Sequence, residues 1–291
     1  MGEIFKRVFD NLLIFDTEYV PCLDTIKRVY RIEDEDLTTE ELLEIAYKEN
    51  GATKEDPIPM IKFMFYKVIA ISGLYRKISY IGNEKQVSLQ LFSLPKTLDS
   101  PFNEGEIIQK FFESIGRTRP QICGWAINQF DLNVLFQRAV INRCIIPGFC
   151  LRPDKPWEGV DYFSNKSEAI VDLMETICGW GSKSRARLDE MASACGIPGK
   201  LGIEGSQVCG VYYSEEENSH QRIIDYCETD VGTTYLLWLE TALLSGHVTQ
   251  EEYLKEKNQF YEFVKYNPKH QWVKFLDAWD YFPGDVSSLQ L

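Results

Sequence analysis

Three short apolar runs in the first third of the chain, followed by alternating helix and strand patterns, leave few folds open. Residues 12–17 form a compact strand candidate, "YKVIAISGLY" from Tyr66 to Tyr75 a second, and "QVSLQLFSL" from Gln86 to Leu94 a third that alternates polar and apolar side chains. Beyond them the pattern predicts a helix from Glu104 to Ile115, a short strand at "PQICGW", a helix from Gln129 to about Asn142, a strand near "AIVDLM", and helices to the end. Later strands in such an order need crossover helices, so the chain is expected to be α/β, a mixed sheet with helices on its faces. With 291 residues and 44% hydrophobic content it can bury the core of one large domain with additions.

Two segments stand apart from that alternation. Residues 23–61 are acidic and carry a helix signal at "TTEELLEIAYKENG", where Thr38 and Glu41 have capping-box spacing and Gly51 suits the helix end; this reads as an inserted lobe. The tail from His247 to Leu291 reads as amphipathic helix rich in Tyr, Phe and Trp, docked on the core. Eight scattered cysteines without a CxxC pair read as buried free thiols in a reducing compartment. No signal-like or membrane-length apolar run is present, and Gly2 lacks the context for acylation, so a soluble, cytoplasmic protein without a membrane partner is expected.

A formal net charge of −13 argues against diffuse polyanion binding, since phosphate affinity comes from clustered Lys and Arg. Any nucleic acid must meet a local basic patch or bound cations. The apolar run "NLLIFDTEYV" ends in such a feature: Asp16 and Glu18 are two apart, so on a strand they share a face and repel unless protonated, paired or bridged by a hard cation such as Mg²⁺ or Mn²⁺. "GWAINQFDLNVL" sets Asp131 at a helix start, and "IIDYCETDVGTTYLLWL" sets Tyr226 and Asp230 four apart, on the shoulder of an apolar stripe of Ile223, Cys227, Val231 and Trp238. The concentrated basic region is "GWGSKSRARL" with Lys183, Arg185 and Arg187, joined by Lys200 in "GIPGKLGIEG". Trp125, Trp157 and Trp180 are candidates to stack on a frayed base.

In this order and context, FDxE, the helix-start FD and YxxxD resemble the DEDDy 3′→5′ exonucleases of the ribonuclease H-like superfamily. With "YKVIAIS", "IVDLMETICGWG" and "LDEMASACGIPGKLGIEGSQV", the chain from about Asn11 to Leu244 is similar to a bacterial family of predicted exonucleases related to the proofreading domain of family B DNA polymerases. The resemblance implies a five-stranded sheet of order 3-2-1-4-5 in a catalytic domain of residues 1–246, with 247–291 as a helical extension. It implies hydrolysis of phosphodiester bonds from the 3′ end of single-stranded or frayed nucleic acid, DNA favoured over RNA, releasing nucleoside 5′-monophosphates. Asp16, Glu18, Asp131 and Asp230 would hold two divalent cations, and Tyr226 would orient the attacking water. Such a pair, roughly 4 Å apart, can activate water and stabilise the leaving oxygen. Asp225, five before Asp230, replaces the histidine of the other subclass. Thr17, Trp125, Asn128 and Phe130, with the basic residues, would contact substrate. One position departs: Ala126 follows Trp125 where the family usually carries Asn, and Asn128 is the candidate to compensate.

Overall fold

The first strand is buried on both sides, because Leu12 and Ile14 alternate with Leu13 and Phe15 and every one is fully covered. In the computed structural model, which describes residues 7–96, 103–155, 158–164, 167–179, 181, 185–199, 201–203, 205–214 and 218–279, it is the central strand of a five-stranded sheet. β1 (Asn11–Pro21) pairs antiparallel with β2 (Tyr66–Ile81), which forms a hairpin with β3 (Glu84–Leu94). On its other side β1 runs parallel to β4 (Gln121–Gly124), and β4 parallel to β5 (Ile170–Asp172), so the order is β3-β2-β1-β4-β5 as expected. The hairpin strands extend beyond their apolar runs, because the continuation to Ile81 is exposed and held by ladder bonds instead of burial.

The segment after β1 contains α1 (Leu23–Tyr30) and α2 (Thr39–Glu49) around a small core of Ile26, Ala46, Ile61 and Phe65. Thr38 and Glu41 close the expected capping box, and Gly51 follows the helix at φ +92°. α1 went unread in the sequence because it is short and amphipathic. On one sheet face, α3 (Glu104–Thr118), α4 (Asp131–Ile141) and α5 (Pro147–Cys150) bury Phe111, Phe112, Leu135 and Phe149 against Leu13 and Phe15. After β5 come α6 (Leu173–Cys178), α7 (Leu188–Ala194) and α8 (Val208–Tyr212).

The opposite face belongs to α9 (Ser219–Leu244), which packs on β1 and β2. Its outer side is covered in turn by α10 (Gln250–Lys265) and α11 (His270–Asp277), so α9 is a central helix, not an amphipathic surface one. The described part of the tail is two helices, since Pro268 disfavours helical backbone at Asn267 and supplies no amide donor; residues 280–291 lie outside the described residues. A buried ion pair fastens it to the sheet: Arg76 of β2 donates to both oxygens of Glu256, which also accepts from Tyr235 at 2.7 Å. Among the cysteines, Cys22, Cys123 and Cys227 are buried, whereas Cys150 is exposed, which corrects the uniform burial expected of them. Among the described residues no helix is long and apolar enough to cross a membrane.

Candidate active site

The three parallel strands β1, β4 and β5 end at the same edge of the sheet, the place where α/β folds position ligands. Strand alternation puts Asp16 and Glu18 on the face covered by α9. There, carboxylate oxygens of both acids and the Cys227 sulfur lie within 4.8 Å of one another. One helical turn along α9 separates Tyr226 from Asp230, and both side chains are nearly covered. Asp131 arrives from the other side of the sheet, at the N-terminus of α4. Thr17 and Tyr19 reach it across that face: the Thr17 hydroxyl donates to Asp131 Oδ1, and the Tyr19 hydroxyl donates to the same atom at 3.0 Å. Between Glu18 and Tyr19 the β1–β2 register shifts by a residue, a local irregularity that re-aims side chains where the strand leaves the sheet.

The result is an open cavity of about 400 Å³ lined by all four acids, Tyr226, Thr17, Tyr19, Tyr66, Trp125, Ala126, Phe130 and Gly205. Among the described residues the lining contains no lysine, arginine or histidine, so the cavity wall they form is acidic and aromatic. Burial, then the carboxylates of Asp131 and Asp230, push Asp16 well above the usual carboxylate range. Burial raises Asp131 to about 6 even though Thr17 and Tyr19 stabilise its ionised form. The Tyr226 phenol is pushed far up by burial and by Asp230, Glu18 and Asp16, so it keeps its proton at neutral pH. Crowded hard-oxygen donors suit divalent cations such as Mg²⁺ or Mn²⁺, so the residues present fit the group that the sequence resemblance implies.

The turn between β4 and α4 shapes one wall. Asp172, buried at the end of β5, accepts from the backbone amides of Ala126 at 3.2 Å, Asn128 at 3.0 Å and Glu175 at 3.1 Å, which caps α6 and pins the turn. Ala126 takes φ +61°, a left-handed conformation that Asn tolerates and Ala does not favour. Ala126→Gly is therefore expected to raise the melting temperature by about 1–2 °C, from under about 1 kcal/mol of relieved strain; a drop on scanning calorimetry would contradict that cost. Gly124 is tighter: an added Cβ would meet Ile127 Cγ2 at 2.4 Å and the Phe15 carbonyl at 2.8 Å. Gly124→Ala is expected to cost about 2 kcal/mol, some 5 °C in the same measurement.

The remaining candidates divide. Thr17, Trp125 and Phe130 line the cavity, though the Thr17 hydroxyl is committed to Asp131. Asn128 is not among the lining residues; its side-chain amide donates to Glu175 at 3.3 Å and its backbone amide to Asp172. Arg185 donates to Gln129, and Arg187 pairs with Asp189 and Glu190, each at 3.4 Å, so neither lines the cavity. Lys183, Lys200, Trp157 and Trp180 lie outside the described residues. Tyr19, Tyr66 and Asp172 were missed. Strand alternation could have paired Tyr19 with Thr17, whereas Tyr66 comes from a distant strand start and carried no local signal.

No curated protein matches the chain. Among solved structures it is similar to a family B DNA polymerase from the hyperthermophilic archaeon Pyrobaculum calidifontis, at 16% identity and a TM-score of 0.44; the likeness covers 87% of this chain and 29% of the polymerase chain. A family model described as a predicted 3′→5′ exonuclease related to the exonuclease domain of PolB matches residues 59–279, a stretch that contains Asp131, Tyr226 and Asp230 and begins after Asp16 and Glu18. Most of the chain is covered by that match, and the protein belongs to this family of predicted 3′→5′ exonucleases.

Proposed function

We propose that the protein is a metal-dependent hydrolase of the tyrosine subclass that removes nucleotides from the 3′ end of single-stranded or frayed DNA, releasing nucleoside 5′-monophosphates. The observation that carries this reading is the convergence of Asp16, Glu18, Asp131 and Asp230, from separate elements, on one cavity. Asp16, Glu18, Asp131 and Asp230 would hold two divalent cations, Mg²⁺ or Mn²⁺. When bound, the cations would supply the positive charge that activates water and stabilises the leaving 3′ oxygen. Tyr226 keeps its proton and has Asp230 as hydrogen-bond partner, so it can orient a water molecule beside the acids. Thr17 and Tyr19 hold the Asp131 carboxylate in place. Trp125 and Phe130, half-buried on the wall, offer ring surface to the terminal base. Residues 1–246 would form the catalytic unit, with 247–291 as its extension, in a cytoplasmic protein.

End-labelled single strands of DNA and RNA, incubated with Mn²⁺ or with EDTA, test the proposal. A ladder shortening from the 3′ end of DNA, abolished by EDTA, is expected. Faster trimming of RNA would make the protein an exoribonuclease, and binding without cleavage would make it a non-catalytic member of the fold.

A further inference from the structure

Tyr226 has a second cavity on its other side, and that cavity is basic. It measures about 260 Å³ and is walled by Leu201, Ile203 and Tyr226, with Arg222, His270 and Lys274 as its exposed polar rim. Arg222, Tyr226 and Asp230 follow one another at four-residue steps, so they share a face of α9 that runs from the acid cavity, past the tyrosine, to the arginine. Each step advances about 6 Å along the helix, which puts Arg222 within reach of a strand whose end lies among the acids. His270 and Lys274 are likewise four apart, on one face of α11. Asp225 also lines the cavity; its carboxylate accepts from Gln221 at 2.9 Å and sits beside Lys269 and His270. In a chain of formal net charge −13, Arg222, His270 and Lys274 gathered beside the acid cavity offer a polyanion local attraction.

We infer that the cavity lined by Arg222, His270 and Lys274 holds the phosphodiester backbone of the substrate strand just 5′ of the bond to be cut. The inference rests on the nuclease reading of the acid cavity and deepens it. Tyr226 would then serve both cavities, its ring dividing the backbone contact from the acids. The assignment adds the junction of α9 and α11 to the phosphate path expected along the loop of Lys183, Arg185, Arg187 and Lys200. It also gives the C-terminal helices a part in binding substrate in addition to covering α9.

The test is the affinity of a fluorescein-labelled oligothymidylate with phosphorothioate linkages, measured by anisotropy in Mg²⁺ across a salt series, beside competition by thymidine monophosphate. In the triple variant Arg222→Ser, His270→Asn, Lys274→Ser, strand binding is expected to weaken by at least about tenfold and the slope of log affinity against log salt to flatten by about 2, with competition by the monophosphate unchanged. Arg222→Lys with Lys274→Arg should retain most of the affinity, which separates charge from disruption of the helix ends. Strand affinity and salt slope equal to wild type would overturn the inference while leaving the nuclease reading intact. Equal losses for strand and monophosphate would overturn it by making the cavity the seat of the released nucleotide. If the wild-type protein binds neither, the nuclease reading fails first.

Discussion

Asp16→Ala is expected to abolish exonuclease activity, lowering kcat/KM by at least about a thousandfold, while leaving a folded protein whose metal-free melting temperature is equal to or above that of wild type. The loss follows from position: Asp16 lies among Glu18, Asp131 and Asp230, and burial with its acidic neighbours already disfavours its charge. Removing one carboxylate relieves repulsion in the metal-free fold but takes away a donor that would hold the proposed cations. Tyr226→Phe, which keeps the ring and removes the hydroxyl, should be milder than Asp230→Ala, because losing the orientation of one water costs less than losing a ligand. Single-turnover rates on a labelled strand, with melting curves of the same samples, decide it. Activity of Asp16→Ala within a few-fold of wild type would remove the two-cation assignment, and the reverse ranking of the other two would exchange their roles.

The second large effect is on stability. Asp131 has a folded value of about 6 against an ordinary 3.8, so the native state binds its proton more tightly than the unfolded chain does. The stability this contributes is fully present below about pH 4 and is lost as pH rises through about 6, on the order of 3 kcal/mol across that window. Asp16 shifts in the same direction. The metal-free protein should therefore melt several degrees lower at pH 7.5 than Asp131→Asn does, and the two should converge near pH 4.5. On the proposed assignment Mn²⁺ would bind the ionised cluster in the folded state alone, so at pH 7.5 it should raise the wild-type melting temperature by mass action. The Asp16→Ala, Asp230→Ala double variant should lose most of that rise. An equal rise in both proteins would trace the ion to diffuse surface binding, and identical pH profiles for wild type and Asp131→Asn would show that Asp131 titrates as an ordinary surface acid.

Local pattern carried some of this site and missed the rest for identifiable reasons. Asp16 and Glu18 were legible because the two-residue period of a strand is local, and Tyr226 with Asp230 because the four-residue step of a helix is local as well. Arg185 and Arg187 meet acceptors and acids in three dimensions or in the next helix turn, and charge counted along a sequence does not reveal that pairing. Asn128 is likewise placed by a distant residue, since its backbone amide is bound by Asp172 from β5, far along the chain.

What the sequence determined by itself was the order of the main strands and helices, though not the short helices α1 and α5, and a continuous apolar run from Leu12 to Phe15 that suits a strand buried on both faces. It also determined which acids could share a face. The tertiary structure decided that the acids of β1 and α9 and the acid of α4, on opposite faces of the sheet, meet around the end of one strand. It decided too that α9 is enclosed, since the helices that cover it lie later in the chain and fold back through the Arg76–Glu256 pair. The left-handed turn at Ala126 belongs to the same class, being imposed by the Asp172 carboxylate from a neighbouring strand. Periodicity is a property of a few successive residues, whereas the meeting of separate elements depends on the packing of the whole sheet and its two helical layers.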